Sequence, residues 1–303
     1  YKNYFDEFIK LYKKKVLPNS ILLSGNKGLG KSTFAFHFIN FILSRNEENA
    51  YSSSDFKISE NNLSYKLINK KIHPNFFLIN NSLLDKEIKI DQIRSLHSFL
   101  GKSTYTKNLK IVLINNAENL NLNSSNALLK SLEEPTQNTF FFLIHNNDEK
   151  ILDTIKSRCV EFRLFFSSIE KEEILRNLLS QYNFRKNIDD LVNEYYHISP
   201  GNLIKYISIT INSKNVVNLN NIDEILFLME KFKKDKNYTY LNFISYFIQK
   251  FYLSICLNQS KNINSYFFNY KNLLNQINDL KKFNLNEKNL LITMKDTLLN
   301  DVT

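Results

Sequence analysis

The stretch Gly25-Asn26-Lys27-Gly28-Leu29-Gly30-Lys31-Ser32, with Thr33 after it, decides how this chain folds. It has the spacing G-x-x-x-x-G-K-S between an apolar run and an amphipathic pattern, which predicts a strand, a loop and a helix. Glycines at these positions let backbone N–H groups surround phosphates, and the helix adds the positive end of its dipole. In this pattern Lys31 reaches the outer phosphates and Ser32 holds Mg²⁺. We therefore predict that residues 25–33 bind a nucleotide.

Glycine is scarce in this chain, which makes the match specific. Three of the five glycines lie between residues 25 and 30. ATP or ADP with Mg²⁺ is accordingly the predicted cofactor. The alternative that stays open is a relic loop, which keeps the shape of the motif without binding a nucleotide.

The first half of the chain alternates short apolar runs with helical patterns, which is typical of a parallel sheet covered by helices. The predicted strands are Ser20–Ser24, Phe76–Ile79, Lys110–Ile114, Phe140–Ile144 and Val160–Phe165. Asp91 is predicted to cap a helix that ends just before Gly101. Residues 45–71 form a polar segment with no strong pattern. After about Phe166 only helical periods remain, with a break near Ser213–Asn220.

Composition limits the classes of protein to which this chain can belong. The net charge of +10 fits either a nucleic-acid partner or solvated faces, because the lysines scatter, with small groups such as Lys13–Lys15. Two cysteines, Cys159 and Cys256, are too few for a disulfide framework or a four-cysteine zinc site. No apolar run is long enough to cross a bilayer. We expect a reduced, cytoplasmic protein with no membrane contact.

The residues that would complete an ATPase site are amides. Hydrolysis needs two acids at the end of a buried strand, one beside Mg²⁺ and one to activate water. The strand Lys110–Ile114 instead continues into Asn115 and Asn116, which neither neutralise a cation nor act as a general base. Glu118 follows, either as a displaced substitute or, as we favour, as a surface acid. We predict a degenerate acidic site at the two asparagines, no protein-held metal, and little or no ATPase activity of the chain alone.

Further segments carry a family resemblance. The segment Asn126-Ala127-Leu128-Leu129-Lys130-Ser131-Leu132-Glu133-Glu134-Pro135 and the triplet Ser157-Arg158-Cys159 resemble two motifs of the bacterial clamp-loader AAA+ family. His73–Phe76, Ile90–Arg94 and Ser199–Gly201 resemble its delta-prime branch in particular. Without the resemblance, the first segment predicts only an amphipathic helix, and Arg158 only a cation near a helix end.

The resemblance implies a fold and its domains. The expected fold is an α/β P-loop AAA+ module, that is, a RecA-like parallel sheet with a helical lid, plus a C-terminal all-helical collar domain for oligomerisation. The expected bounds are 1–165 for the sheet domain, 166–213 for the lid and 214–303 for the collar. Many relatives also hold zinc with four cysteines between the P-loop helix and the next strands. Residues 45–71 contain no cysteine, so we predict no zinc.

The resemblance also implies a role in DNA replication. The family loads the beta sliding clamp onto primer–template DNA as a hetero-oligomer of DNA polymerase III gamma/tau, delta and delta-prime subunits. The arginine that Arg158 matches acts in trans, as an arginine finger in the ATP site of a neighbouring subunit. Motor subunits carry acids where this chain has Asn115 and Asn116, and a lid arginine where it has Ile204. These departures favour the delta-prime, or stator, role over an active gamma/tau-type motor ATPase and over a P-loop nucleotide kinase.

Overall fold

We describe the protein from a computed structural model that places residues 1–80, 87–102, 109–147, 149–181, 187–211, 221–258, 263–283 and 287–301. The chain forms two compact units. The first comprises Tyr1–Asn183 and Asn187–Ile204, and the second comprises Phe184–Lys186 and Lys205–Thr303. The predicted break at 213–220 lies outside the described residues, so the predicted three-domain bounds stay a prediction.

A five-stranded parallel sheet forms the centre of the first unit. Its strands are β1 (Ser20–Gly25), β2 (Phe76–Ile79), β3 (Lys110–Ile114), β4 (Thr139–Asn146) and β5 (Val160–Arg163). They lie in the order β2-β3-β4-β1-β5, and every neighbouring pair is parallel. Gly25 is therefore opposite Asn146, at the carboxyl ends of β1 and β4. The predicted parallel sheet is confirmed, with small shifts at the strand ends.

Helices connect the strands and cover both faces of the sheet. Those of the first unit are α1 (Lys2–Lys13), α2 (Lys31–Leu43), α3 (Leu63–Asn69), α4 (Ile90–Gly101), α5 (Leu122–Glu133), α6 (Asp153–Lys156), α7 (Ser168–Leu179) and α8 (Ile188–Tyr195). The next helix, α9 (Pro200–Ile211), begins in the first unit and ends in the second.

Side-chain alternation along the strands divides the core of the first unit into two layers. In β1, Ile21 and Leu23 join a buried cluster with the phenylalanines of α1 and α2. The residue between them, Leu22, joins the other cluster, which contains apolar residues of α4 and α5. Because both faces are buried, the central strands are continuous apolar runs.

Three local predictions are corrected by the structure. Helix α4 begins at Ile90 rather than after Asp91, because the Gln92 side chain accepts a hydrogen bond from the Lys89 backbone N–H at 3.0 Å and starts the helix earlier. Gly101 is the last residue of α4 rather than the residue beyond it. The polar segment contains α3, because the side chain of Asn62 caps it by accepting from the Tyr65 N–H at 2.7 Å.

The second unit is helical, as the periods after residue 166 predict. Besides the end of α9 it contains α10 (Asn221–Asp235), α11 (Thr239–Asn258), α12 (Ile263–Phe283) and α13 (Glu287–Asn300). Apolar residues of all four helices are buried, including Phe232, Phe247, Ile277 and Met294. Among the described residues, no helix has the length and apolarity that crossing a membrane requires.

Candidate functional site

The glycine-rich loop adopts the conformation that its composition predicts. Gly28 and Gly30 have φ angles of +84° and +83°, a left-handed conformation that costs other residues about 1–2 kcal/mol. Helix α2 begins directly after the loop, at Lys31, and its N-cap Gly30 offers no side chain to the first turn. The first N–H groups of this helix therefore have no side-chain cap, as an anion site at a helix N-terminus requires.

Lys31 is buried beneath the loop, with 3% of its surface exposed. Its Nζ donates to the backbone oxygens of Gly25 and Asn26, both at 2.7 Å, and to the Asn146 Oδ1 at 2.9 Å. An ammonium group has three N–H donors. Lys31 therefore reaches a phosphate only by exchanging one of these oxygens for it.

The two asparagines predicted at the end of β3 form different hydrogen bonds: Asn115 contacts the loop, and Asn116 contacts Asn146. The Asn115 Oδ1 accepts a hydrogen bond from the Ser32 hydroxyl at 2.9 Å, and its Nδ2 donates to the Asn80 Oδ1 at 2.5 Å. Asn116 has a φ of +54° and accepts from the Asn146 Nδ2 at 3.1 Å. The groups that Ser32 and Asn115 present to a cation are neutral oxygens, which suit Mg²⁺ poorly because it prefers carboxylates and phosphates.

Glu118 is not the surface acid that we favoured. It lies in a short 3-10 helix, Ala117–Asn119, and is half-buried. Its carboxylate accepts hydrogen bonds from the Asn146 backbone N–H at 3.2 Å and from the Asn146 Nδ2 at 2.5 Å. Asn146 thus links this acid to the ammonium of Lys31. The short 3-10 turn directs Glu118 back toward the sheet, and the sequence pattern does not show this turn.

Asn146 is the site residue that the sequence analysis missed. It ends β4 and pairs in register with Gly25, so parallel pairing brings it beside the loop. A polar residue that ends a buried apolar strand is the signal that could have identified it. The glycine-rich motif does not predict this residue, because Asn146 is 115 residues away from Lys31 in sequence.

The start of α9 packs directly against the glycine-rich loop. The Gly201 N–H donates to the Gly28 backbone oxygen at 2.8 Å. A Cβ atom on Gly28 would lie 2.2 Å from the Ser199 Oγ, and a Cβ on Gly201 would lie 2.7 Å from the Gly28 oxygen. Both glycines are therefore required by close packing. Ile204, one turn further along α9, is 39% exposed.

Arg158 lies just after α6 and is held by groups of its own chain. Its guanidinium forms an ion pair with the Glu133 carboxylate, and its Nε donates to the Glu133 Oε1 at 2.5 Å. A further N–H donates to the Thr154 backbone oxygen at 2.9 Å. The side chain keeps 29% of its surface exposed, so part of the guanidinium faces solvent. The ion pair joins two segments that carried the family resemblance, those of residues 126–135 and 157–159.

The neighbouring Cys159 is partly buried. Burial raises the pKa of its thiol to about 12, so the reactive thiolate is scarce at neutral pH. In the described part of the chain, no group of three His, Cys, Asp or Glu side chains is arranged to hold a metal ion.

Comparisons with known proteins agree with this architecture. The family described as "DNA polymerase III, delta subunit" matches residues 1–167. The chain belongs to this family. The DNA polymerase III subunit delta' of Pseudomonas aeruginosa is 35% identical over 143 residues, which are 47% of this chain and 42% of that protein. The subunit delta' of Buchnera aphidicola subsp. Schizaphis graminum is 30% identical over 205 residues, which are 66% of this chain and 60% of that protein.

These similarities confirm the predicted resemblance to the delta-prime branch of the clamp-loader AAA+ family. The chain spans about half the length of the curated relatives it matches. A solved structure, that of a DNA polymerase III gamma subunit-related protein from Thermotoga maritima, superposes with a TM-score of 0.55 at 17% identity. It covers 97% of this chain and 98% of that one. This likeness shows a shared fold, which agrees with the predicted parallel sheet with helices.

Proposed function

We propose that this chain is the stator of a clamp-loader complex. In this role it assembles with gamma/tau-type and delta-type subunits and assists ATP-dependent loading of the beta sliding clamp onto primer–template DNA. Its own loop holds ATP or ADP without turning it over, and Arg158 acts in the ATP site of a neighbouring subunit. The complex works in the cytoplasm.

The observation that carries the proposal is the combination of an intact loop with amides in place of acids. Among the described residues, the Ser32 hydroxyl of the loop is hydrogen-bonded to Asn115, the residue that follows β3. Neither side chain is charged. A carboxylate is the group that neutralises Mg²⁺ and accepts a proton from water. The site is therefore better suited to binding the phosphates of a nucleotide than to hydrolysing it.

A gamma/tau-type motor is the second candidate, and Glu118 is the observation that favours it. Its carboxylate is linked to Lys31 through the Asn146 amide, so the site does contain one acid. Both oxygens of that acid already accept hydrogen bonds from N–H groups of Asn146. The P-loop kinase alternative is not favoured by the family to which the chain belongs.

We predict negligible ATPase activity for the purified chain. Phosphate release should stay at the level of Lys31→Ala, because the described residues at the end of β3 are amides and Glu118 is already engaged by Asn146, which leaves no carboxylate among them to activate water. The measurement is steady-state phosphate release with Mg²⁺ and ATP. Turnover at the rate of a motor subunit, lost in both Lys31→Ala and Glu118→Gln, would establish the motor function instead.

Nucleotide affinity provides a separate prediction. Asn115→Asp should strengthen Mg²⁺-dependent ADP binding by about tenfold, because the new carboxylate keeps the bond from Ser32 and adds a negative charge beside the metal position. The Asn80 amide can turn its Nδ2 toward the new oxygen. Affinity is measured by calorimetry with Mg²⁺ and with EDTA.

The matched control for this substitution is Asn116→Asp. It adds the same charge one residue away, and Asp tolerates the left-handed conformation of this position. Its oxygen faces Asn146 rather than Ser32, so we expect a much smaller gain in affinity. Equal gains in both variants would indicate a general charge effect and contradict the assigned geometry.

A further inference from the structure

A basic cleft lies at the opposite end of the sheet from the glycine-rich loop. It has a volume of about 1030 Å³ and is bordered by Asn19 before β1, by Gln137 and Asn138 before β4, and by the ends of α1 and α2. Because the strands are parallel, these residues are at the amino ends of the strands, whereas the loop is at the carboxyl ends. The cleft is therefore a separate feature from the candidate nucleotide site.

All charged residues among those that line the basic cleft are cations. They are Lys13, Lys15 and Arg45, and each is exposed. Within the described residues none of the three has an ion-pair partner. A cation at a helix C-terminus is ordinary, because the helix dipole favours it. Here, however, cations from the ends of two helices border one cavity, and no carboxylate among the lining residues balances them.

Two aromatic rings also line the basic cleft, and both pack against the core. The rings of Tyr12 and Phe140 are 6.1 Å apart at 65° to each other, and both are half-buried. Burial raises the pKa of the Tyr12 hydroxyl, and the nearby positive charge of Arg45 partly opposes that shift, so this cation lies close to the ring. Amide side chains, Asn19, Asn46 and Gln137 among them, complete the lining.

Positive charge, partly exposed aromatic rings and amides form the set of groups that binds single-stranded nucleic acid. Lysine and arginine contact phosphates, aromatic rings stack against unpaired bases, and amides bond to base edges. A duplex hides its base faces, so the rings would contribute nothing to its binding. An acidic peptide would use the cations only. We propose that the basic cleft binds a single strand of nucleic acid, with its three cations on phosphates and its two rings against bases.

The first test uses a fluorescein-labelled oligothymidylate of twelve nucleotides. Its binding to the full chain is measured by fluorescence anisotropy at several salt concentrations. The variant Lys13→Glu/Lys15→Glu/Arg45→Glu should lose at least about tenfold in affinity. The slope of log affinity against log salt concentration should become shallower by about 2, since each of the three phosphate contacts on a single strand contributes roughly 0.7 to the slope. The isolated chain is used, so the result does not depend on the proposed stator role.

A charge-matched control separates the cleft from the net charge of the protein. The variant Lys70→Glu/Lys233→Glu/Lys234→Glu reverses three exposed lysines that do not line the cleft and lowers the net charge equally. It should bind the oligonucleotide as the unmodified chain does. Equal losses in the two triple variants would overturn the proposal, because they would indicate diffuse attraction only.

The Tyr12 ring is tested by two substitutions, one that keeps the ring and one that removes it. Tyr12→Phe should retain affinity because it keeps the ring, whereas Tyr12→Leu should lose about tenfold with no change in salt dependence. Thermal melts check that both variants fold. Equal affinity of the two variants would overturn the stacking role of the ring. Binding of a labelled oligoglutamate as tight as that of the oligonucleotide would show instead that the cleft is a site for acidic peptides.

Discussion

Replacing Arg158 with alanine is expected to stop ATP hydrolysis at one site of the assembled complex while leaving this chain folded. An arginine finger stabilises charge on the γ-phosphate in the transition state and contributes roughly 10³–10⁵ to the rate. Only the site that faces this subunit should fail, so the bulk ATPase rate should fall partially. Clamp loading should fall further if all sites must fire in one cycle. Both are measured with DNA present, after size measurement confirms assembly.

The contacts of Arg158 within its own chain refine this expectation. Its pair with Glu133 lies near the surface, so losing it should cost the chain about 1 kcal/mol or less of stability. When Arg158 acts in a neighbouring site, its guanidinium either keeps the ion pair with Glu133 while it contacts the phosphate, or breaks that ion pair. Glu133→Gln removes the charge but leaves the arginine. We expect it to preserve most of the hydrolysis that Arg158→Ala abolishes.

Arg163→Ala is the matched control. Arg163 is also an exposed arginine beside a carboxylate, that of Glu161 at 3.4 Å, but it lies on β5 outside the S-R-C segment. This variant should hydrolyse ATP at the normal rate. If Arg158→Ala behaves in the same way in a confirmed complex, Arg158 is only a charge near a helix end and the proposed stator mechanism is wrong.

Gly28→Ala is expected to destabilise the first unit by at least about 2 kcal/mol, through left-handed strain and through crowding against Ser199. The φ of Gly28 is +84°, and its new Cβ would lie 3.1 Å from the Ser199 Cβ even after the hydroxyl turns away. The melting temperature should fall by roughly 4 °C or more. Nucleotide affinity should fall as well, because the loop that surrounds the phosphates is displaced.

Gly101→Ala is the control with the opposite sign. This glycine ends α4, and an added Cβ would meet no atom within 4 Å. Alanine in a helix is favoured over glycine by about 0.5–1 kcal/mol, so the melting temperature should stay level or rise. Gly201→Ala isolates the contact with α9, because its Cβ would meet the Gly28 oxygen without left-handed strain. A melting temperature unchanged in Gly28→Ala would contradict the close packing described above.

The order of apolar runs was sufficient to predict the parallel sheet and the helices that cover it. A buried strand between helices reads as a continuous apolar run, and β1, β3 and β4 all show one. The predictions failed where the signal was local and polar. Helix α3 was missed because its start depends on one cap, Asn62, in a segment without a strong apolar period.

The sequence alone was sufficient to predict the place and the backbone conformation of the glycine-rich loop. Left-handed glycines, a lysine and a hydroxyl at fixed spacing specify their own backbone conformation, because each requirement is met within a few residues. The replacement of two acids by Asn115 and Asn116 could be read from the chain in the same way. Chemistry that depends on residue type at a known spacing needs no knowledge of distant segments.

Only the tertiary structure decided which distant residues complete the site. Parallel pairing of β1 and β4 places Asn146 against Lys31, and a 3-10 turn directs Glu118 to Asn146. Packing of α9 brings Gly201 onto Gly28. Each contact joins segments far apart in sequence, whose approach is set by strand order and by burial of the shared core. No local pattern encodes such a distance, because it results from the free energy of packing the whole unit.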